Sequence, residues 1–447
     1  MPQPHFKAWY QSISGRPDRY PLSETIYRCP HSGELLEVQH DFAALRQKTP
    51  EEWRALVESR LRHLSGPLAS GVWSWKEWVC PEVEDDCIVS LAEGRTLLYQ
   101  PKQLAQKTGI HNLYVKLCGN SHTGSFKDLG MTVLVSMVNQ MVRAGKKIRA
   151  VVCASTGDTS AALAAYCAAA NLPCLVLLPK GKVSTAQLIQ PIANGALTLA
   201  LDTDFDGCME IVQQLAESDE IYLANSLNSL RVEGQKTVSV EIVQQLGWDV
   251  PDWIIVPGGN LGNVSAIGKG LLELQALGLI DRLPRLVCAQ AEKANPLYES
   301  FTGDFKEFKP KEAQETLATA IQIGHPVSAR KAIKTLQKFD GVVEQASEEE
   351  LANAAAQADK DGLFVCPQTG VAIAAFLKLA ERHEIKPREK VVIVSTAHGL
   401  KFVDFKVKYH KDSLAEVGAR HVNPPVACAP DIDLVWRELD KRFQATT

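Results

Sequence analysis

From about Leu113 onward this 447-residue chain alternates short, mostly apolar runs of β type with small-residue loops and segments whose apolar positions recur at helical spacing. The runs fall at 149–153, 174–178, 196–201, 253–256, 286–289 and 391–394. A strand that is apolar on both faces must be covered on both faces, and strands separated by helices are joined as parallel crossovers. The pattern therefore predicts an α/β fold built on open parallel sheets. It also says where to look for chemistry, because ligands of such sheets bind at the carboxyl ends of strands, in the loops that lead into helices.

The flanks read differently. Residues up to about Glu93 are polar and Trp-rich with local helical pieces such as 42–64, and they are expected to form an N-terminal arm or small domain. After about Val403 the alternation is lost. A soft prior of about 150 residues per domain suggests roughly three units. Ser347 and Glu350 form a capping box ahead of an Ala-rich helix. The stretch 161–179, mostly Ala and broken by Asn171 and Pro173, reads as helix, turn and strand rather than a membrane span.

Charge and cysteine usage exclude several classes. The 48 Lys+Arg against 52 Asp+Glu give a formal net charge of −4 with no long block of one sign, which argues against nucleic acid as a partner. The 11 Cys are odd in number and scattered without a C-x-x-C pair, as expected of buried thiols in a reducing cytosol. The first residues, MPQPHFKAWYQSISG, lack the apolar core of a secretory signal and the Arg-rich pattern of a transit peptide, so a cytoplasmic protein is expected. Ser32 stands where a zinc ribbon beginning at Cys29 needs a second Cys, so no metal is expected.

Four loops carry the candidate chemistry. The first, SHTGSFKD at 121–128, leads into a helical segment with Lys127 in its first turn. A cation there opposes the partial positive charge of the helix N-terminus, and with partial burial its pKa would fall, as a Schiff-base nucleophile requires. A snorkelling surface lysine is the plainer alternative. The second, STGDTS at 155–160, offers hydroxyls and free helix N–H groups as an anion cradle, or simply an over-capped helix start. The third, GGNLGN at 258–263, directly follows an apolar run; it breaks the G-x-G-x-x-G spacing and lacks G-K-[ST], but its glycines suit a phosphate cup. The fourth, STAHG at 395–399, points a hydroxyl into the same crevice or caps a helix. A further stretch, NSLNSLR at 225–231, supplies amides, hydroxyls and a guanidinium fork for a second oxyanion, with a solvated loop as the alternative.

Together these loops make the chain resemble the fold type II pyridoxal-phosphate enzymes, the tryptophan synthase β-subunit superfamily, and within it the plant-type threonine synthases. SHTGSFKDLGMTVLVS (121–136), CASTGDTSAAL (153–163), YLANSLNSLR (222–231), EGQKT (233–237), VPGGNLGN (256–263), CAQA (288–291) with Ala294 to Leu297, VSTAHGLKF (394–402) and SGVWSWKEWV (70–79) carry the resemblance over nearly the whole chain. It implies two α/β lobes, a large cofactor-binding one from 96–147 and 235–402 and a small one from 148–234, with an N-terminal unit at 1–95 and a tail at 403–447.

The resemblance also implies roles. Lys127 holds pyridoxal 5'-phosphate as a Schiff base. Gly259, Asn260, Leu261, Gly262 and Asn263 cradle its phosphate, Thr396 faces the pyridine nitrogen, and Asp158 stands where many bacterial members have Asn beside the phenolic oxygen. Ser155, Thr156, Asn225, Ser226 and Arg231 bind the substrate's phosphate, with Lys116 a further candidate. The implied reaction is O-phospho-L-homoserine plus water giving L-threonine plus phosphate. A neutral hydroxyl at the ring nitrogen makes a weaker electron sink than a carboxylate.

A homodimer is implied too, as is S-adenosylmethionine as an activator bound near the N-terminal region. This chain keeps the 73–78 neighbourhood of that pattern but departs from it around Thr96, Leu97, Gln106 and His111. Two rivals remain: another lyase of the same fold, such as a threonine dehydratase or cysteine synthase, and a catalytically silent homologue. The Arg231 loop argues against the first and the retained Lys127 against the second.

Overall fold

A computed structural model describes residues 6–155, 157–181 and 185–443. Its strands are β1 (Ala8–Ser12), β2 (Leu36–His40), β3 (Leu98–Tyr99), β4 (Asn112–Leu117), β5 (Ala150–Ala154), β6 (Cys174–Pro179), β7 (Leu197–Leu201), β8 (Ile221–Leu223), β9 (Trp253–Pro257), β10 (Arg285–Ala291), β11 (Val342–Ala346) and β12 (Lys390–Ser395). They form a β1–β2 hairpin pair, a six-stranded sheet ordered β11-β10-β9-β12-β4-β3, and a four-stranded sheet ordered β7-β6-β5-β8. The four-stranded sheet is parallel throughout, and in the larger sheet only the two-residue edge strand β3 runs antiparallel. The fold is therefore the mixed α/β architecture with parallel sheets that the alternation predicts.

The period of two along the central strands explains why both faces are covered. Ile254, Val256, Val392 and Val394 join one core with the helices Lys127–Arg143 and Gly262–Ala276. Trp253, Ile255, Val391 and Ile393 join the other with the helices Glu348–Asp359 and Pro367–Glu381. At about 25 cal/mol per Å2 of apolar surface, two filled faces anchor these strands firmly enough for their carboxyl ends to act as a rigid platform. The expected capping box is present, with Ser347 accepting from the Glu350 N–H and Glu350 from the Ser347 N–H.

The N-terminal region departs from expectation. It holds the antiparallel pair β1–β2, in register Ala8 with His40 and Ser12 with Leu36, where the sequence suggested only helical pieces. Trp53, Trp73, Trp75 and Trp78 are fully buried in the same apolar cluster as the Lys127 helix, and Trp73 Nε1 donates to Thr132 Oγ1 of that helix at 2.7 Å. The tryptophans are core residues that tie this region to the helix carrying Lys127. Among the described residues no helix is long and apolar enough to cross a membrane.

Candidate active site

Sheet order brings the loops together. The strands β9, β12 and β4 are adjacent and parallel, and their carboxyl ends lead respectively into the 258–263 loop, the 395–399 loop and the 121–128 loop. In the smaller sheet β5 and β8 are adjacent, and they lead into the 155–160 and 225–231 loops. Residues more than 270 positions apart thus meet because neighbouring strands end side by side.

The first and fourth loops are stitched by backbone. Phe126 N–H donates to Thr396 O at 2.9 Å and His398 N–H to Gly124 O at 2.9 Å, and Ser125 bridges Ala397. Inside the first loop the buried Asp128 carboxylate accepts from Thr123 N–H at 2.8 Å, from Thr123 Oγ1, and from Ser121 Oγ at 2.7 Å. Lys127 is the first residue of its helix, with no side-chain cap at Phe126. Its amine lies 4.2 Å from the centre of the Phe126 ring and has no hydrogen bond or ion pair among the described residues. Burial above all, with help from the Arg231 guanidinium, lowers its pKa from 10.5 to about 7, while Asp158 pulls the other way. The amine of the helix-start lysine is lowered in the direction the sequence suggested, with removal from water as the largest cause.

The 258–263 loop is shaped by close approach. A Cβ on Gly258 would lie 2.3 Å from Cys288 Sγ, so this turn hugs β10. Leu261 takes left-handed backbone at φ 63°, and the helix from Gly262 starts without a side-chain cap, leaving its first N–H groups to a ligand. Both polar atoms of the buried Asn263 amide lack a partner. An uncapped helix start, a glycine at 262 whose Cβ would meet nothing nearer than Ser328 Oγ at 3.7 Å, and an orphaned amide fit a phosphate group. Asn260 connects this cup to the smaller sheet: its Nδ2 donates to Ser226 Oγ at 3.4 Å, and its carbonyl accepts from Ser328 N–H at 3.1 Å.

Thr396 is buried, with Cys366 Sγ 3.8 Å from its hydroxyl, and its N–H donates to Thr369 Oγ1 at 3.2 Å. Cys366, Thr369 and the buried Gln368, whose amide has no partner, sit beside it at the start of the helix Pro367–Glu381. Sequence reading missed this flank, since CPQT carries no signal until β12 is placed next to it.

Arg231 is buried, and among the described residues no carboxylate pairs with it. It donates to Ala224 O at 3.1 Å and to Thr159 Oγ1 at 3.4 Å, and its Nε is unsatisfied. Desolvation draws its pKa from 12.5 to about 10, so it keeps its charge at neutral pH. Its helix, Leu230–Gln235, crosses the Lys127 helix backbone to backbone: a Cβ on Gly234 would fall 1.6 Å from Leu129 O. That contact fixes the guanidinium relative to the amine.

Other expected residues are placed otherwise. Lys116 is fully buried and its three donors are filled, by Glu241 Oε2 at 2.6 Å, Thr96 O at 2.7 Å and Gln245 Oε1 at 2.9 Å, so it is a structural cation and not an anion ligand. The Asn225 amide is spent on Ala154, accepting from its N–H at 3.0 Å and donating to its carbonyl at 2.8 Å; it extends the β5–β8 pairing and shapes the Ser155 loop without facing a ligand. Ser155 Oγ accepts from Gly157 N–H at 3.3 Å and is partly exposed. Thr156 lies outside the described residues. Asp158 starts the helix Asp158–Ala169 and stands 3.4 Å from the ammonium of Lys401, a residue the loop-by-loop reading passed over.

The comparisons bear on the family and the fold. A family model described as pyridoxal-phosphate dependent enzyme matches residues 89–397. "Threonine synthase 2, chloroplastic" of Arabidopsis thaliana is 55% identical over 411 residues, covering 92% of this chain and 80% of that protein. "Threonine synthase" of Methanocaldococcus jannaschii is 42% identical over 396 residues, covering 88% and 93%. The crystal structure of threonine synthase from Escherichia coli superposes with a TM-score of 0.68 at 20% identity, covering 96% of this chain and 94% of that one, which bears on the fold. With a lysine of lowered pKa, a loop shaped to take a phosphate and these relatives, the chain belongs to the pyridoxal-phosphate-dependent enzymes and, among them, to the threonine synthases.

Proposed function

We propose that this chain converts O-phospho-L-homoserine and water to L-threonine and phosphate, with Lys127 as its catalytic residue. The observation that carries the substrate assignment is the buried Arg231, which has no counter-charge among the described residues. A guanidinium removed from water without a carboxylate is costly, and a ligand that brings a phosphate dianion repays that cost. A second cradle at 258–263 already suits the cofactor's phosphate, so Arg231 is left for the substrate's. Serine or threonine as substrate carries no such group.

In this reading Gly259, Asn260, Leu261, Gly262 and Asn263 hold the cofactor phosphate, with Asn263 supplying the amide and the helix start its N–H groups. Thr396 would offer a neutral hydroxyl to the ring nitrogen, and Asp158 would stand on the side of the phenolic oxygen. When bound, pyridoxal phosphate acts as the electron sink that acidifies carbon-bound protons of the attached amino acid. The chain's part is proton traffic and positioning. With a pKa of about 7, the Lys127 amine is neutral often enough at physiological pH to act as nucleophile and then as base at Cα and Cβ. Arg231, with Ser155 and Ser226 at the loop ends, holds the γ-phosphate as it departs, and water adds at Cβ. Asn225 serves this site only by holding the Ala154 backbone, and Lys116 is a structural cation outside it.

The test is phosphate release from O-phospho-L-homoserine against ammonia release from threonine by the purified, cofactor-loaded protein; ammonia without phosphate would reassign it to the dehydratases. Running the same assay with and without S-adenosylmethionine tests that activator, and sedimentation tests the homodimer. The free cysteines, none disulfide-bonded, suit a reducing compartment such as the cytoplasm. Localisation of the tagged chain distinguishes this from the plastid named for the Arabidopsis protein.

A further inference from the structure

Lys401 lies one helical turn past the 395–399 loop, outside every role given above. Its ammonium donates to Thr123 O in the Lys127 loop at 3.0 Å and to Gln190 Oε1 at 2.7 Å, and it stands 3.4 Å from Asp158 Oδ1. Gln190 Nε2 donates to the same Thr123 carbonyl at 3.2 Å. Gln190 belongs to the helix Thr185–Ala193 and Asp158 to the helix after β5, so both come from the smaller sheet's segments, while Thr123 belongs to the larger sheet's. The first loop makes room for the reach: Gly124 has φ 81°, and a Cβ there would lie 3.1 Å from Lys401 Cδ. The side chains of Lys401 and Asp158 are 13% and 9% exposed, so their attraction is little screened.

We propose that Lys401 is a positioning residue of this site: it clamps Asp158 and Gln190 to the Lys127 loop and supplies the positive charge that lets a carboxylate stand beside the reactive amine. The inference rests on the assignment of Lys127 and Asp158 to the cofactor site. The charged and titratable groups around the amine are Arg231 from the facing helix and Asp158 from the β5 loop, with Asp128 turned back into its own loop; around Asp158 stand Lys401 and the Cys366 thiol. Asp158 alone favours the protonated amine, so cancelling its charge through Lys401 keeps the site from being over-stabilised in that form.

The experiment is a pH titration of the bound cofactor's visible absorbance in the wild type, Lys401→Met, Lys401→Arg, Asp158→Asn and the Lys401→Met/Asp158→Asn double variant, with KM and kcat beside it. The expected result is an upward shift of the midpoint in Lys401→Met by about one unit, a tenfold change in proton affinity. Asp158→Asn should abolish that shift in the double variant, and Lys401→Arg should stay near the wild type. A Lys401→Met midpoint that does not move, moves equally when Asp158 is already Asn, or is matched by Lys401→Arg overturns the proposal. Should Lys401→Met not fold, Lys401→Gln keeps a donor for Thr123 O without the charge and carries the same comparison. A wild-type protein with no cofactor band dependent on Lys127 would instead overturn the site assignment.

Discussion

The molecule buries its cations in two ways. Lys116 has three acceptors for three donors, and Lys236 is held by Trp78 O and Glu233 Oε2 at 2.6 Å and Glu273 Oε2 at 2.7 Å, with His40 Nε2 at 3.2 Å. His40, Glu233 and Glu273 are near enough to one another to bind a metal ion, but the Lys236 ammonium already lies among them. The half-buried Lys127 and the buried Arg231 have no such company: among the described residues the first amine is without hydrogen bond or ion pair, and the second keeps a bare Nε and no carboxylate. A buried charge that is satisfied holds the fold, and one that is not is waiting for a ligand.

The largest effect should come from breaking the unsatisfied set at its nucleophile. Lys127→Ala should remove the visible cofactor band and lower kcat/KM on the order of 10^4-fold or more, with no loss of melting temperature in the cofactor-free protein. A variant that keeps turnover near the wild type would end the assignment.

Next comes Arg231→Met. Removing the charged partner of a desolvated phosphate should cost about 2–5 kcal/mol of binding, roughly thirtyfold to a few thousandfold in kcat/KM for O-phospho-L-homoserine, while the apo protein stays as stable or gains. The satisfied set should behave in the opposite sense. Lys116→Met strands Glu241 and should cost about 3–5 kcal/mol of folding stability, read by urea denaturation, with activity per folded molecule unchanged. If Arg231→Met unfolds the protein and Lys116→Met silences it, the two classes have been assigned the wrong way round.

This distinction also marks what could be read from the chain. The sheets were legible because apolar runs and helix-period segments are local patterns; the Gly258 and Thr396 loops followed because each directly trails such a run, and the Lys127 loop because it leads into a helix-period segment. Strands without that signature were not: β11 reads VVEQA, and the β1–β2 pair depends on a partner 28 positions away. Lys116 seemed an anion ligand since nothing near it in sequence announces Glu241, 125 residues on. Asn225 stands in a ligand-like motif yet spends its amide on Ala154, a choice fixed by how β5 and β8 end. Lys401 was overlooked for the same reason, because its partners Thr123, Asp158 and Gln190 come from three other segments.

A pH dependence of stability separates the two sets of cations once more, by its sign. Lys127 titrates at about 7 in the folded protein and at 10.5 in an unfolded chain. Below pH 7 both states hold the proton and the folded state bears the full penalty of a charged, desolvated amine. Between 7 and 10.5 the unfolded chain binds more protons, so this residue's contribution makes the cofactor-free protein more stable as pH rises, and above 10.5 the penalty is gone. The buried thiols oppose the trend: Cys118 and Cys288 are pushed up to about 12, so their ionisation favours unfolding at high pH. The measurement that isolates the lysine is therefore the difference in unfolding free energy between the cofactor-free wild type and Lys127→Met. The variant should be the more stable of the two at pH 6, with the gap narrowing steadily toward pH 10. A gap that is flat across this range would mean that the amine is not held as a depressed, unpaired base, and Lys127 would then rejoin Lys116 and Lys236 among the cations that serve the fold alone.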